Sequence, residues 1–108
     1  MAIDNIPIVN GSNIQFGPVP ASTRWAFTSI IVCNTGVSNA TFSMYAVKSG
    51  EAQDDTQNAI VYQAIVEPTD TFIMDSERII LEVGDKLVFR GNSVSSSFLI
   101  ATVSYIEV

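Results

Sequence analysis

The chain has 108 residues, of which 47% are hydrophobic and only 15% are charged, and its formal net charge at pH 7 is −6. This length fits one domain with a single core. The acidic balance argues against binding to nucleic acid or to an anionic membrane surface, because phosphate groups would repel the chain. The low charged fraction fits either a β surface rich in Ser, Thr and Asn or the subunit of an assembly.

A single cysteine, Cys33, excludes an intrachain disulfide, and its position in an apolar run predicts a buried structural thiol. Residues 1–11 lack a basic segment followed by a long apolar one, so no signal peptide is predicted. No apolar run reaches the roughly 20 residues that a membrane-spanning helix needs. We therefore expect synthesis in the cytosol and no membrane partner.

Residues 1–23 are predicted to be an extended arm or edge strand, with a short strand at 13–16. Prolines interrupt the apolar residues there, and proline cannot donate a backbone hydrogen bond to a central strand. Such an arm either lies on its own domain or reaches to a neighbour. For a contact with a neighbour, the predicted interface residues are Ile3, Ile6, Pro7, Ile8, Val9, Phe16, Pro18 and Pro20.

Two strands are predicted next, at 24–34 and 40–48, and the short loop between them predicts a hairpin. The first strand carries large apolar side chains on both faces, as expected of a central strand covered on both sides. In the second, Phe42 and Met44 are assigned to the core, and the opposite row, which includes Ser43, is assigned to solvent.

Residues 49–58 form a long polar stretch, in which Glu51, Asp54 and Asp55 raise the question of a calcium site. Their spacing lacks the alternating oxygen ligands and fixed glycine of an EF-hand loop, so a mobile, solvated loop is the better interpretation. Residues 59–66 fit a strand or a two-turn helix, and their β-branched and aromatic content favours the strand.

A proline turn then leads into a short predicted strand at 71–74. The stretch 78–92 is interpreted as strand, tight turn and strand, with Gly84-Asp85 at the turn and Asp85 supporting it. Glu82 is expected to pair with Lys86 or Arg90 across this hairpin. A last strand is predicted at 97–108.

These seven or eight strands predict an all-β protein: an antiparallel β-sandwich, immunoglobulin-like or jelly-roll-like, with an extended N-terminal arm. The predicted domain organisation is an arm or edge strand at 1–23 and a single sandwich domain at 24–108. The two-residue periods leave the choice between the two topologies open.

The sequence contains no histidine, which removes Ser-His-Asp and Cys-His catalysis and the usual zinc sites. The acidic pairs Asp54/Asp55 and Asp75/Glu77 are interpreted as solvated charges on turns rather than as a glycosidase pair. We therefore predict no enzyme, no cofactor and no catalytic, cofactor-binding or metal-binding residue. Trp25 and Tyr45, in neighbouring predicted strands, suggest a sugar-stacking face as an alternative function.

Four motifs, taken in order, support a more specific hypothesis. They are a strand ending in Cys-Asn-Thr at 28–35, a Tyr-bearing strand before a proline turn at 61–71, a strand with a Gly-Asp turn at 78–87, and Ser-Tyr-Ile-Glu at 104–107. In this order they resemble a group of small structural proteins of tailed bacteriophages, many of them from marine and cyanobacterial phages. The resemblance covers residues 24–108, and Thr69-Asp70 stands where the family has a glycine after the proline.

The resemblance implies a non-enzymatic virion protein: a capsid decoration (cement) subunit that stabilises the head, or a neck or tail subunit. The implied partners are the major capsid protein or neck and tail proteins, and the implied location is the virion, assembled in the host cytoplasm. We further expect a homo-oligomer, with three copies as the first guess. A carbohydrate-binding or receptor-binding sandwich module is the alternative.

Overall fold

The computed structural model of the chain describes residues 2–54, 57–74 and 79–107. Four residues discussed above lie outside these described residues. They are Asp55, Asp75 and Glu77 of the acidic pairs and Arg78 of the strand-turn-strand stretch. Nine strands and one 3₁₀ helix occur in the described part. They are β1 Ala2–Pro7, β2 Asn13–Phe16, β3 Trp25–Asn34, β4 Ala40–Val47, β5 Ala59–Val66, β6 Thr71–Met74, β7 Ile79–Leu81, β8 Lys86–Gly91, the 3₁₀ helix Val94–Phe98 and β9 Leu99–Glu107.

The strands form two antiparallel sheets that face each other. Sheet A has the order β1-β9-β3-β6, with β7 also paired to β3, and sheet B has the order β2-β8-β4-β5. Because β6 and β7 share one position beside β3, the sandwich has eight strand positions, and the chain crosses repeatedly between the sheets. This confirms the predicted antiparallel sandwich, and the strand order is that of a jelly roll rather than of an immunoglobulin domain.

Both predicted hairpins are wrong, because each pair of strands is divided between the two sheets. β3 belongs to sheet A and β4 to sheet B, and β7 and β8 are divided in the same way. The first crossing is organised by Asn34, whose buried amide nitrogen donates to the carbonyls of Ser38 and Val66, both at 2.9 Å, while its oxygen accepts from the Gly36 amide. A two-residue period identifies a strand, but hydrogen bonds such as those of Asn34 determine which sheet the next strand joins.

The second crossing depends on Gly84 and Asp85. Gly84 has φ +85°, a left-handed conformation that favours glycine. The Asp85 carboxylate accepts hydrogen bonds from the amides of Glu82 at 3.0 Å and Ser49 at 2.9 Å. The predicted supporting role of Asp85 in the turn is therefore confirmed, although the turn joins two sheets instead of two neighbouring strands.

The space between the sheets is filled by one cluster of apolar side chains. Phe42, Met44, Leu87 and Phe89 of sheet B are fully buried against sheet A. Four aromatic rings, those of Phe16, Trp25, Phe27 and Tyr105, also pack together, with centroid separations from 4.9 Å to 5.8 Å. The assignment of Phe42 and Met44 to the core is confirmed.

The N-terminal segment supplies an edge strand to each sheet. β1 pairs with β9 at the edge of sheet A, and β2 pairs with β8 at the edge of sheet B. Of the two predicted possibilities, the edge strand is the one observed. Ile6, Ile8 and Val19 lie in the core of the same sandwich, where each is at most 7% exposed.

Several local predictions are confirmed and others are corrected. Residues 59–66 form a strand, whereas the last strand begins at Leu99 because residues 94–98 form the 3₁₀ helix. Ser43 is buried instead of solvated, because its hydroxyl donates to Asn92 Oδ1 at 2.7 Å and accepts from the Gln63 amide at 2.9 Å. Cys33 is only half-buried, because it points away from the core.

Candidate interaction surfaces

The outer face of sheet A is open to solvent. Successive side chains of a strand point to opposite sides, and the core residues Leu99, Ala101 and Val103 fix the inner side of β9. The strand registers carry this assignment to the other strands of the sheet. We call the outward residues the sheet A face: Ile3, Asn5, Pro7, Ala26, Ser29, Ile31, Cys33, Thr71, Ile73, Ile80, Ile100, Thr102, Ser104 and Ile106.

Isoleucines are spread over the whole sheet A face. Ile31 lies at its centre, where its cross-strand partners are Thr102 and Ile73. Near the edges, Ile3, Ile73 and Ile80 are 63%, 59% and 56% exposed. No residue of this face is acidic or basic. A sheet with one solvated face ordinarily alternates apolar inward with polar outward residues, so six outward isoleucines indicate a contact surface.

The outer face of sheet B is built differently. Its outward positions on β2 and β8 carry Asn13, Gln15, Lys86 and Arg90. Between them lies a small second cluster, separate from the main core, in which Tyr45, Val47 and Val88 are each about 1% exposed and pack with Ala59. We call these outward residues of β2, β4 and β8 the sheet B face; it combines charge with apolar side chains that are already covered. The edge strand β5 of the same sheet differs, since Tyr62 and Ile65 are 55% and 64% exposed there.

Three loops at one end of the sandwich, residues 8–12, 35–39 and 92–98, contain no charged residue. Four apolar side chains are exposed there, and we call them the apolar end: Val9 at 42%, Val37 at 93%, Val94 at 83% and Phe98 at 53%. The neighbouring loop at 67–70 carries Glu67 and Asp70. The apolar end adjoins the sheet A face, since Pro7 directly precedes the first of these loops and Ile100 lies two residues after the last.

Hydrogen bonds hold the loops of the apolar end in place. The backbone amide and the hydroxyl of Thr35 both donate to the Phe98 carbonyl, at 3.0 Å and 2.8 Å. Gly36 lies against the Phe98 ring so closely that an added Cβ would be 2.9 Å from it. The Gly11 amide donates to the Gly91 carbonyl at 3.0 Å. These exposed apolar residues are therefore presented on fixed loops.

The opposite end of the sandwich carries most charges of the described loops. Arg24 Nε donates to Glu82 Oε2 at 3.0 Å, which corrects the expected pairing of Glu82 with Lys86 or Arg90. Both side chains are more than half exposed, so this ion pair contributes little stability. A shallow depression of about 380 Å³ adjoins the pair. Within the described residues, no group of three His, Cys, Asp or Glu side chains could hold a metal ion.

The predicted sugar-stacking face is wrong. Trp25 lies on the inner side of sheet A within the aromatic cluster and is 8% exposed. Tyr45 lies on the outer side of sheet B and is 1% exposed. The two side chains belong to different sheets, because the chain crosses between them after Asn34, and neither offers a ring to a ligand.

The residues predicted as an interface are distributed over four environments. Ile3 and Pro7 belong to the sheet A face, and Val9 belongs to the apolar end. Pro18 and Pro20 are exposed on either side of buried Val19. As a correction, Ile6 and Ile8 are buried in the chain's own core, and Phe16 is partly buried in the aromatic cluster. These three side chains are already packed within the sandwich.

The sequence prediction missed most of the sheet A face, including Ile31, Ile73, Ile80, Ile100 and Ile106. A signal for it does exist. Residues 25–47 and 91–106 contain no charged residue at all, although they include both faces of β3 and β9. A strand buried on one side only is expected to carry charged or strongly polar residues on the other.

Comparison of the chain with protein-family models, with curated proteins and with solved structures finds no match. Within the described residues, no helix is long and apolar enough to cross a bilayer.

Proposed function

We propose that the chain is a non-enzymatic structural protein of a bacteriophage virion, and specifically a capsid decoration subunit that binds and stabilises the assembled head. The observation that carries this proposal is the uncharged apolar surface formed by the sheet A face and the adjoining apolar end, in a chain of net charge −6. Monomeric proteins rarely expose large contiguous apolar patches, and such patches mark contact surfaces.

Two further observations support the same class of protein. The ordered motifs at 28–35, 61–71, 78–87 and 104–107 resemble those of small tailed-phage structural proteins. The jelly roll is used by viral capsid proteins, although lectins use it too. Because one fold hosts many functions, the structural role and sugar binding have to be distinguished by the residues at the surface. The buried positions of Trp25 and Tyr45 favour the structural role over sugar binding.

The geometry suggests how such a subunit would dock. The apolar end presents Val37 and Val94 on hydrogen-bonded loops, so their burial against a capsid subunit would require little further ordering of the chain. A head offers the same contact at many repeated positions. If subunits are also linked to one another, individually weak contacts act together and the bound layer resists dissociation.

The proposal is tested by quantitative mass spectrometry of gradient-purified particles from the phage that encodes the chain. We expect the chain in the particles at a copy number comparable with that of the major capsid protein. A copy number of six to a few dozen would place it in the neck or tail and overturn the decoration role. Its absence from the particles would overturn the virion assignment altogether.

The docking contact is tested with particles from which the chain is missing. Val37→Asp should greatly reduce co-sedimentation of the purified chain with such particles, because it places a charge at the most exposed apolar position. Val83→Asp is the matched control, since Val83 is 49% exposed in the loop between β7 and β8, at the opposite end of the sandwich. Equal binding of Val37→Asp and wild type would exclude the apolar end as the contact.

A further inference from the structure

We infer that the sheet A face binds a second copy of this chain, so that two sandwiches pack face to face about a two-fold axis. The inference rests on the proposed function for its biological setting, because it names the first partner of the assembly subunit. Its physical basis is independent of that function, and comes from the charge, the size and the shape of the face.

Charge favours a second copy at this face over contacts elsewhere. Each chain carries a net charge of −6, so two copies repel each other when acidic surfaces approach. None of the described residues that form the sheet A face is charged, so these residues can approach their copies without pairing like charges. In a two-fold contact the same patch meets itself, and a residue near the axis faces its own equivalent. A patch of isoleucine, threonine and serine meets that condition, whereas the sheet B face would set Lys86 and Arg90 against cations.

The size of the face is sufficient for a specific contact. Sheet A is four strand positions wide, and β9 is 9 residues long. With strands about 4.8 Å apart and about 3.3 Å per residue, the face measures roughly 20 × 30 Å, or about 600 Å² per copy. Two copies would bury about 1,200 Å² in total, which lies at the lower end of the range for stable, specific interfaces.

The shape of the face also fits sheet stacking. The outward isoleucines are spaced so that Ile31 is central, Ile73 and Ile100 lie near it, and Ile3 and Ile80 lie towards the edges. Side chains of this kind interdigitate when two sheets pack about 10 Å apart. Two-fold stacking gives a dimer or an even multiple of it, which differs from the trimer expected from sequence.

The mass of the purified full-length chain in solution tests the inference directly, by light scattering over a dilution series. We expect twice the mass of one chain for the wild type. Ile73→Lys and Ile100→Lys should each reduce the measured mass to that of one chain, because each would bury an unpaired charge in the apolar contact. The matched control is Ile65→Lys, which changes a similarly exposed isoleucine on β5 and should leave the dimer intact. Thermal unfolding of each variant verifies that it folds.

Cys33 supplies a second readout, because it is the only cysteine and belongs to the sheet A face. Its alkylation by iodoacetamide should slow as the wild-type concentration rises, and should be independent of concentration in Ile73→Lys. A wild type that is monomeric at every concentration, or trimeric, would overturn the inference. So would a dimer that only Ile65→Lys dissociates. A dimer that is absent from virions would instead overturn the proposed function and leave this contact standing.

Discussion

Ile31 and Tyr45 both point outward from central strands of the sandwich, yet their surroundings differ completely. Around Ile31, the sheet A face exposes further isoleucines and contains no charge. Tyr45, by contrast, is 1% exposed, packs with Val47 and Val88, and lies near the cations of β8. Both strands show the same two-residue alternation in the sequence. Alternation in the sequence therefore assigns a side chain to one face of a sheet. Whether that face is covered by the chain itself or left exposed depends on the neighbouring residues.

Sheet B also shows how a sandwich keeps an outer face from associating. Lys86 and Arg90 flank Val88 along β8, and charges at such positions disfavour stacking of identical surfaces. Asp4 is the acidic residue of β1, but it lies on the inner side of that strand and accepts a hydrogen bond from the Tyr105 hydroxyl. Among the described residues, sheet A therefore has a carboxylate at its edge and none on its outer face.

The largest expected effect comes from truncating Tyr45. Tyr45→Ala should lower the free energy of unfolding by about 3–5 kcal/mol, because it removes a fully buried aromatic side chain. Ile73→Ala on the sheet A face should cost under about 1 kcal/mol in the monomer, because Ile73 is mostly exposed there. Urea unfolding at low protein concentration measures both.

The matched control for this prediction is Tyr62→Ala on β5, where the ring is 55% exposed. A loss of stability equal to that of Tyr45→Ala would mean that the cluster on sheet B is not specially packed. The contrast between the two outer faces would then fail.

A smaller effect is expected from the buried hydroxyl of Ser43. Ser43→Ala should lower the free energy of unfolding by about 1–3 kcal/mol, because it leaves the Gln63 amide and Asn92 Oδ1 without their partner. Ser104→Ala makes the same chemical change on the sheet A face and should alter the stability by no more than about 0.5 kcal/mol. Urea unfolding of the two variants side by side would contradict the prediction if their midpoints coincide.

The smallest expected effect is a loss of stability at alkaline pH, which arises from Tyr105 on the inner side of sheet A. Burial, followed by the charge of Asp4, the hydrogen bond to it and the charge of Glu107, raises the pKa of Tyr105. The folded state therefore holds this proton more tightly than the unfolded state, whose tyrosine pKa is about 10. The resulting stabilisation is fully present below about pH 10 and is lost as the pH rises through the raised pKa.

We accordingly expect the Tm to fall above about pH 10, and we expect Tyr105→Phe to make that fall shallower. Thermal unfolding followed by circular dichroism across the alkaline range measures both slopes. Tyr62→Phe, at an exposed tyrosine, is the control and should leave the slope unchanged. Parallel curves for wild type and Tyr105→Phe would contradict the assigned environment of Tyr105.

The sequence predicted the strands well because their signal is local. Phe42 and Met44 form one row of a two-residue alternation, and this row is observed on the inner side of the sheet. The partners of the strands were not predictable in the same way. The crossing after β3 depends on the buried amide of Asn34, which bonds to the Val66 carbonyl far along the chain. Such a long-range bond leaves no periodic pattern.

The candidate surface was predicted only in part, again for a physical reason. The sequence predicts Ile3 and Pro7 as contact residues because prolines interrupt the apolar N-terminal segment. Ile31 and Ile100 were not named, since β3 and β9 carry apolar residues on both sides and periodicity alone cannot tell an inner from an outer row. Only the fold, by turning Leu99 inward, assigns Ile100 to the surface.

Gly50 offers a practical consequence of the jelly-roll topology. It lies in the loop that follows β4, at the end of the sandwich opposite the apolar end, with φ +83° and open space around its α-carbon. Loop tips of this kind tolerate inserted sequence. A peptide epitope inserted after Gly50 would project away from both proposed contacts. If the chain decorates a head through the apolar end, as proposed, the inserted peptide would point outward, and the chain could then serve as a scaffold for displaying antigens at high density.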